Sequence, residues 1–306
     1  MTRREWLRLA GAAPAAAAPR VSGWILVHEH ILVDFAGADQ AGPHRYDREE
    51  VFRLALPKLK EIAALGCRRL QECTPNFLGR DPGLLARLAQ ASGMEIWTNT
   101  GLYGARNHIF LPGYARTETA AQLARRWIAE ARDGVGGLRP RFIKIGVNQA
   151  PLHPLDRKLV QAAAITSRET GLVVASHTGG GAAALEQLEI LDAAGVEARR
   201  FVWVHAQNER DHALHARAAQ AGAWVEFDGI QAASADWHLN CVRKLAEAGG
   251  GARTLISQDS GWYHVGEPGG GNFRGYAYLF REFAPRLTPG EVQALLIDNP
   301  IACFGQ

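Results

Sequence analysis

The sequence has few cysteines, no long apolar run and no large excess of either charge. The cysteines, four in all, stand at 67, 73, 241 and 303, and none forms a C-x-x-C pair. That spacing argues against a zinc ribbon and reads as small buried side chains, with one disulfide open if the chain is exported. No stretch approaches the ~18 consecutive apolar residues of a membrane span. The 34 basic residues stand against 31 acidic ones, for a formal net charge of +3. The arginines are scattered, not arrayed as a stripe, so the charge makes no case for nucleic acid. The glycine-rich pieces at 179–181, 249–251 and 269–271 lack a following Lys-Ser or Lys-Thr, which removes a P-loop.

Apolar residues make up 47 % of 306, enough for one large α/β barrel or two small domains. The first residues read as an address. Thr2-Arg3-Arg4-Glu5-Trp6-Leu7-Arg8 resembles a twin-arginine export motif, and Ala15 to Ala18 offer a cleavage region after a short apolar stretch. Residues 1–22 are therefore set apart as an export signal or tail, and 23–306 as one domain. The expected destination is the periplasm or beyond, with the cytoplasm as the alternative.

After Gly23 short apolar runs alternate with longer amphipathic ones. The pattern predicts eight strands, over Trp24–Val27, Arg69–Cys73, Glu95–Asn99, Phe142–Gly146, Leu172–Ser176, Phe201–His205, Ala223–Phe227 and Thr254–Gln258. Segments such as Leu84–Ala91, Glu118–Ala131 and Leu155–Thr170 carry helical spacing between them. Gly66, Gly93, Gly171, Gly195 and Gly222 stand where helices would end in a left-handed cap. Eight strand–helix units predict a (β/α)8 TIM barrel, whose functional groups lie at the C-terminal strand ends.

Those ends carry His28 and His30 on strand one, Lys144 on strand four, His177 on strand five, His205 on strand six and Asp259 on strand eight. All are metal-type ligands on one rim. The two-residue period places Trp24, Leu26, His28 and His30 on one side, Phe142 with Lys144, Trp203 with His205, and Leu255, Ser257 and Asp259 together. Glu29 then points away and is not counted as a ligand. A lone histidine there is more often structural; this ordered set points to a metal site. Lys144 is the oddity, because an ammonium facing a barrel core is costly. Beside two cations it is costlier still. A neutral amine there can take up carbon dioxide and become a carbamate, an anionic ligand with two oxygens.

The motifs Val27-His28-Glu29-His30-Ile31, Ile143-Lys144-Ile145-Gly146, Ser176-His177-Thr178-Gly179, Val204-His205, Glu226-Phe227-Asp228-Gly229 and Ser257-Gln258-Asp259-Ser260 stand in order. With Thr74-Pro75, Gly79-Arg80-Asp81-Pro82 and Asn299-Pro300, they resemble the phosphotriesterase-related family of the amidohydrolase superfamily, from Gly23 to the end. The resemblance implies a binuclear hydrolase of esters, lactones or phosphotriesters. His28, His30 and Asp259 would hold the more buried ion, and His177 and His205 the more exposed one. Carboxylated Lys144 and a hydroxide would bridge them, and Asp259 would accept the proton of the attacking hydroxide. Zinc is the default, with manganese, iron or cobalt as substitutes. The family also implies a homodimer, which the periodicity does not show.

Tyr103 resembles the tyrosine that lines the pocket of lactonases in that family, and is read as catalytic or substrate-binding. Trp262, Tyr263 and His264 follow Asp259 and are read as an aromatic substrate wall. The segment Ala206-Gln207-Asn208-Glu209 departs from the small, Asp-rich turn of the lactonase members, which weakens the lactone assignment. Asp228 is open between a supporting role, a substrate contact and a structural one. His44, His108, His153, His212, His215 and His238 fall in loops or helices and are expected at the surface. Two other readings stand: a mononuclear deaminase, which would need a glutamate after strand five and no Lys144, and a metal-retaining barrel that binds without turnover.

Overall fold

The computed structural model describes residues 23–305. The twin-arginine reading of residues 1–22, and the export route inferred from it, lie outside the described residues.

Eight parallel strands form the ring: β1 (Trp24–Glu29), β2 (Cys67–Glu72), β3 in two pieces (Glu95–Trp97 and Asn99–Thr100), β4 (Phe142–Val147), β5 (Val174–Thr178), β6 (Phe201–Val204), β7 (Trp224–Phe227) and β8 (Thr254–Ile256). Each pairs in parallel with the next. The break in β3 at Thr98 lets its first piece pair with β2 and its second with β4. The ring closes where the Asp259 amide donates to the His28 carbonyl (3.1 Å) and the His28 amide to Ser257 Oγ (3.0 Å). Seven main helices wrap it: α1 (Arg48–Ala64), α2 (Pro82–Ser92), α3 (Ala120–Asp133), α4 (Pro154–Thr170), α5 (Gly181–Ala193), α6 (His212–Gln220) and α7 (Ala235–Glu247). Short helical pieces follow to Phe304 and place Ile301, Cys303 and Phe304 against the inner cluster. The architecture is the (β/α)8 barrel that the alternation predicts. Among the described residues no helix is long and apolar enough to cross a membrane.

Local chemistry sets the helix ends. Asp81 accepts from the Leu84 amide at the start of α2, and Thr119 forms a capping box with Gln122 at the start of α3. Gly93 and Gly171 close α2 and α4 in the left-handed conformation.

The core has two layers. Ile25, Val27, Phe142, Ala175, Val202, Val204, Trp224 and Leu255 fill the barrel interior. Leu26, Ile143, Ile145, Trp203 and Phe227 face the helices. This corrects the two-residue rule on two strands. Leu26 and Trp203 do not share the axis side with His28 and His205. On β1 the pairing register with β2 shifts between Leu26 and Glu29, and that bulge turns His28 inward. After β6, His205 adopts φ 64°, which swings its ring back over the barrel mouth.

One ion pair joins the ring to the helices. Arg80 binds Glu130 with both ends of its fork (2.7 and 2.8 Å), and Thr100 Oγ1 donates to the same carboxylate (2.8 Å). Burial works to raise the Glu130 carboxyl, but Arg80 outweighs it and the net shift is downward. A depressed carboxylate stabilises the fold above its unfolded value, about 4.3, and loses that contribution as pH falls through the folded value. Glu130→Gln is therefore expected to be less stable than the parent at neutral pH, with the gap closing in acid. Urea midpoints at about pH 7 and about pH 3 check this. Equal gaps at both pH values would contradict it.

Candidate metal centre

The strand ends bring His28, His30, Lys144, His177, His205 and Asp259 to one cavity of about 310 Å³. Three of the four imidazoles have a hydrogen-bonded partner that aims them. His28 Nδ1 is bonded to Glu226 (2.8 Å) and Asp228 (3.2 Å). Its Nε2 faces Lys144 Nζ at 3.3 Å and Asp259 Oδ1 at 3.8 Å. His30 Nδ1 is bonded to Thr74 Oγ1 (2.7 Å), itself tied to Glu72, and His30 Nε2 stands 3.1 Å from Asp259 Oδ1. His205 Nδ1 bonds to Asp228 Oδ1, and the His205 amide donates to Oδ2 at 2.9 Å. The His177 ring stands edge-on to His205, 4.4 Å between centroids.

These spacings fit a divalent ion. The edge of a tetrahedron with bonds of about 2.1 Å is about 3.4 Å, and Asp259 Oδ1 stands 3.1 and 3.8 Å from the two imidazole nitrogens. Two groups have ligand atoms all within 4.8 Å of one another: His28, His30 and Asp259, and His28, His205 and Asp228. The second group is better understood as support. Asp228 is fully buried and accepts from both histidines, from the His205 amide and from Gln207 Nε2 (2.9 Å), so donors already take its oxygens. His177 lies in neither group, although it borders the same cavity.

The electrostatics favour lone-pair ligands. Burial, reinforced by Lys144, pushes His28 down to about 3. Burial also lowers His30, and it lowers His177 strongly. Neutral imidazole is the metal-binding form. On His205 burial acts downward, yet the Asp228 carboxylate wins and the shift is upward. Burial acts to raise the Asp259 carboxyl, but His30 and His28 hold it well below the usual carboxylate range. Burial pushes the Glu29 carboxyl up to about 8; it faces not the cavity but Ser257 Oγ and the amides of Gln258 and Ser260.

Two glycines let the backbone close around these ligands. A Cβ on Gly101 (φ 118°) would stand 2.2 Å from the Lys144 carbonyl oxygen, and one on Gly261 (φ 93°) 1.7 Å from that of His30. Only glycine fits either position.

The residues read as substrate contacts divide. Tyr103 and Trp262 line the cavity, with Tyr103 5.0 Å from the His177 ring and Trp262 Nε1 donating to Asp259 Oδ1 (3.2 Å). Tyr263 does not line it. The strand-like pairing of Tyr263–His264 with Leu32–Val33 alternates the side chains and turns Tyr263 onto Phe273 and Gly270. His264 borders a neighbouring cavity behind Trp262. Sequence reasoning missed Phe35, Leu78, Gln207 and Asn208 on the cavity wall. Three histidines expected at the surface are buried: His108 bonds Asp156 (2.9 Å), His215 the Ala206 carbonyl (2.7 Å), and His238 those of Ser234 and Asp228. His108 ties its loop to the first turn of α4, and His215 and His238 satisfy carbonyls of the segments that follow β6 and β7. His44 and His153 are exposed and His212 half-buried.

Comparison with known proteins agrees with the geometry. Residues 13–304 match the model of the phosphotriesterase family. The chain is 26 % identical to the phosphotriesterase homology protein of Escherichia coli (strain K12), across 92 % of this chain and 98 % of that one. It is 27 % identical to the aryldialkylphosphatase of Saccharolobus solfataricus, across 67 % of this chain and 66 % of that one. The crystal structure of the Escherichia coli homology protein, complexed with phosphate in its active site, matches with a TM-score of 0.81 and 25 % identity, covering 93 % of this chain and 99 % of that one. The chain belongs to the phosphotriesterase family.

Proposed function

We propose that the protein is a binuclear metal-dependent hydrolase that opens an ester, lactone or phosphotriester bond. The observation that carries this is the spacing of His28 Nε2, His30 Nε2 and Asp259 Oδ1 beside Lys144, in an open cavity with apolar walls. His28, His30 and Asp259 would hold one ion, His177 and His205 the other, and a carbamate on Lys144 would serve both. Zinc suits the donors best; manganese, iron or cobalt would also fit. Divalent ions there would lower the pKa of a water and polarise the oxygen of the scissile group.

The chain's own residues do the rest. Asp259, anchored by Trp262 Nε1, is held ionised and is placed to take the proton of the attacking water. Phe35, Leu78 and Trp262 hold an apolar arm of the substrate and exclude water. Tyr103 closes the wall beside His177. Asn208 brings an amide to the cavity wall, where an acyl or alkoxy oxygen can be bound, while the Gln207 amide is engaged by Asp228.

The test is turnover of lactones of several ring sizes, aryl esters and an aryl phosphotriester, with zinc or manganese in bicarbonate. The parent is expected to turn over one class at least about a thousandfold faster than Lys144→Ala. No turnover by a chain shown to carry metal would leave a binding role.

A further inference from the structure

A second cavity, of about 350 Å³, lies behind Trp262 and shares Trp262 and Asp259 with the first. Its other walls include Gln231, Asn272, His264 and Arg274. Arg274 is half-buried, and its guanidinium donates to the Asp259 carbonyl oxygen. Among the described residues no carboxylate pairs with it. Half-buried Arg45 and Arg80 are paired with Asp34 and Glu130; Arg200, like Arg274, holds only a carbonyl, but Arg274 alone of these borders a cavity that reaches Asp259. Glu267, the acid at this edge, is engaged by His264 (Nδ1–Oε1 3.3 Å) and lies against Gly271. The side-chain amides of Gln231 and Asn272 make no hydrogen bond among the described residues. A half-buried cation without a carboxylate partner, with two exposed amides at the cavity mouth, is suited to receive an anion.

We propose that this cavity is a subsite for an anionic arm of the substrate, so that the preferred substrate carries a carboxylate, sulfonate or phosphate monoester group beyond the bond that is cut. The inference rests on the hydrolase reading above. The two cavities meet at Asp259 and Trp262, so one molecule spans both: its scissile group lies at the histidines and its charged end behind the indole. Arg274 receives the charge on its planar fork, and Gln231 and Asn272 donate to the remaining oxygens. The turn that carries the partition is locally strained, with Asp259 at φ 48° and Trp262 at φ 73°. The hydrogen bond from Trp262 Nε1 to Asp259 Oδ1 holds the indole between the two spaces.

The experiment compares matched substrates: the mono-para-nitrophenyl ester of glutarate, and the same ester with its distal carboxylate methylated. Parallel pairs with a sulfonate or phosphate end distinguish the anion. The parent is expected to favour one anionic ester over its neutral partner in kcat/KM by about tenfold to a hundredfold. Arg274→Gln should remove that preference and Arg274→Lys keep part of it. Gln231→Glu, which leaves Arg274 in place but sets a carboxylate beside it, should also remove it. An unchanged ratio in Arg274→Gln overturns the subsite. Methanesulfonate, a weak metal ligand, is titrated into the metal-loaded chain by calorimetry to decide the case in which neither ester is cut. Binding weakened about tenfold by Arg274→Gln upholds the subsite while the hydrolase reading fails. Equal or absent binding overturns the subsite.

Discussion

Lys144→Ala is expected to lose at least one of the two ions and to lower kcat by about a thousandfold or more. The side chain is 2 % exposed and emerges from the middle of β4, where β5 holds it in register through Ala175. Its Nζ stands 3.3 Å from His28 Nε2. No other side chain on this wall can supply an anionic ligand to both ions: Asp259 stands with His28 and His30, and donors already occupy Asp228. Without Lys144, two divalent ions held by these residues would face mainly imidazoles and would repel each other. Metal analysis after dialysis and steady-state kinetics check this. Lys144→Glu restores a carboxylate of shorter reach and should recover part of the metal content. A Lys144→Ala chain that kept both ions and full turnover would sink the bridged centre.

Asp228→Ala is expected to weaken both ions, although Asp228 need touch neither. Its carboxylate aims His28, assigned to one ion, and His205, assigned to the other, and it also fixes the Gln207 amide on the cavity wall. Removing it frees the His205 ring, leaves His28 held by Glu226 alone, and leaves buried N–H donors such as the His205 amide unpaired. Loss of such a supporting carboxylate lowers metal affinity about tenfold to a hundredfold. Breaking a buried charged network costs about 3–5 kcal/mol. Competition with a chelator and thermal unfolding measure the two effects. Asp228→Asn, which keeps one acceptor oxygen, should fall between parent and alanine in both. If only the His205 ion weakened, Asp228 would not couple the two sites.

Much of this arrangement is legible in the sequence because a barrel repeats. Each apolar run reads as a strand, and the polar residue ending each run falls on one rim, so the ligand-type residues of β1, β4, β5, β6 and β8 can be named without coordinates. What the period could not carry is local backbone irregularity. His28 faces the axis through a bulge, and His205 through a left-handed turn, while Leu26 and Trp203 face outward. Tyr263 was misplaced for a related reason: its segment pairs with Leu32–Val33, which no pattern in either stretch announces. Phe35, Gln207 and Asn208 reach the cavity from irregular loops, which carry no period to read. Asp228 lay within a recognisable motif, but its role depends on two histidines distant in sequence.

The most direct test of the account is the metal content of the purified full chain after reconstitution with zinc in bicarbonate and removal of free metal. The account predicts two tightly held ions per chain. One ion or none, in a chain that is folded by circular dichroism, would contradict it.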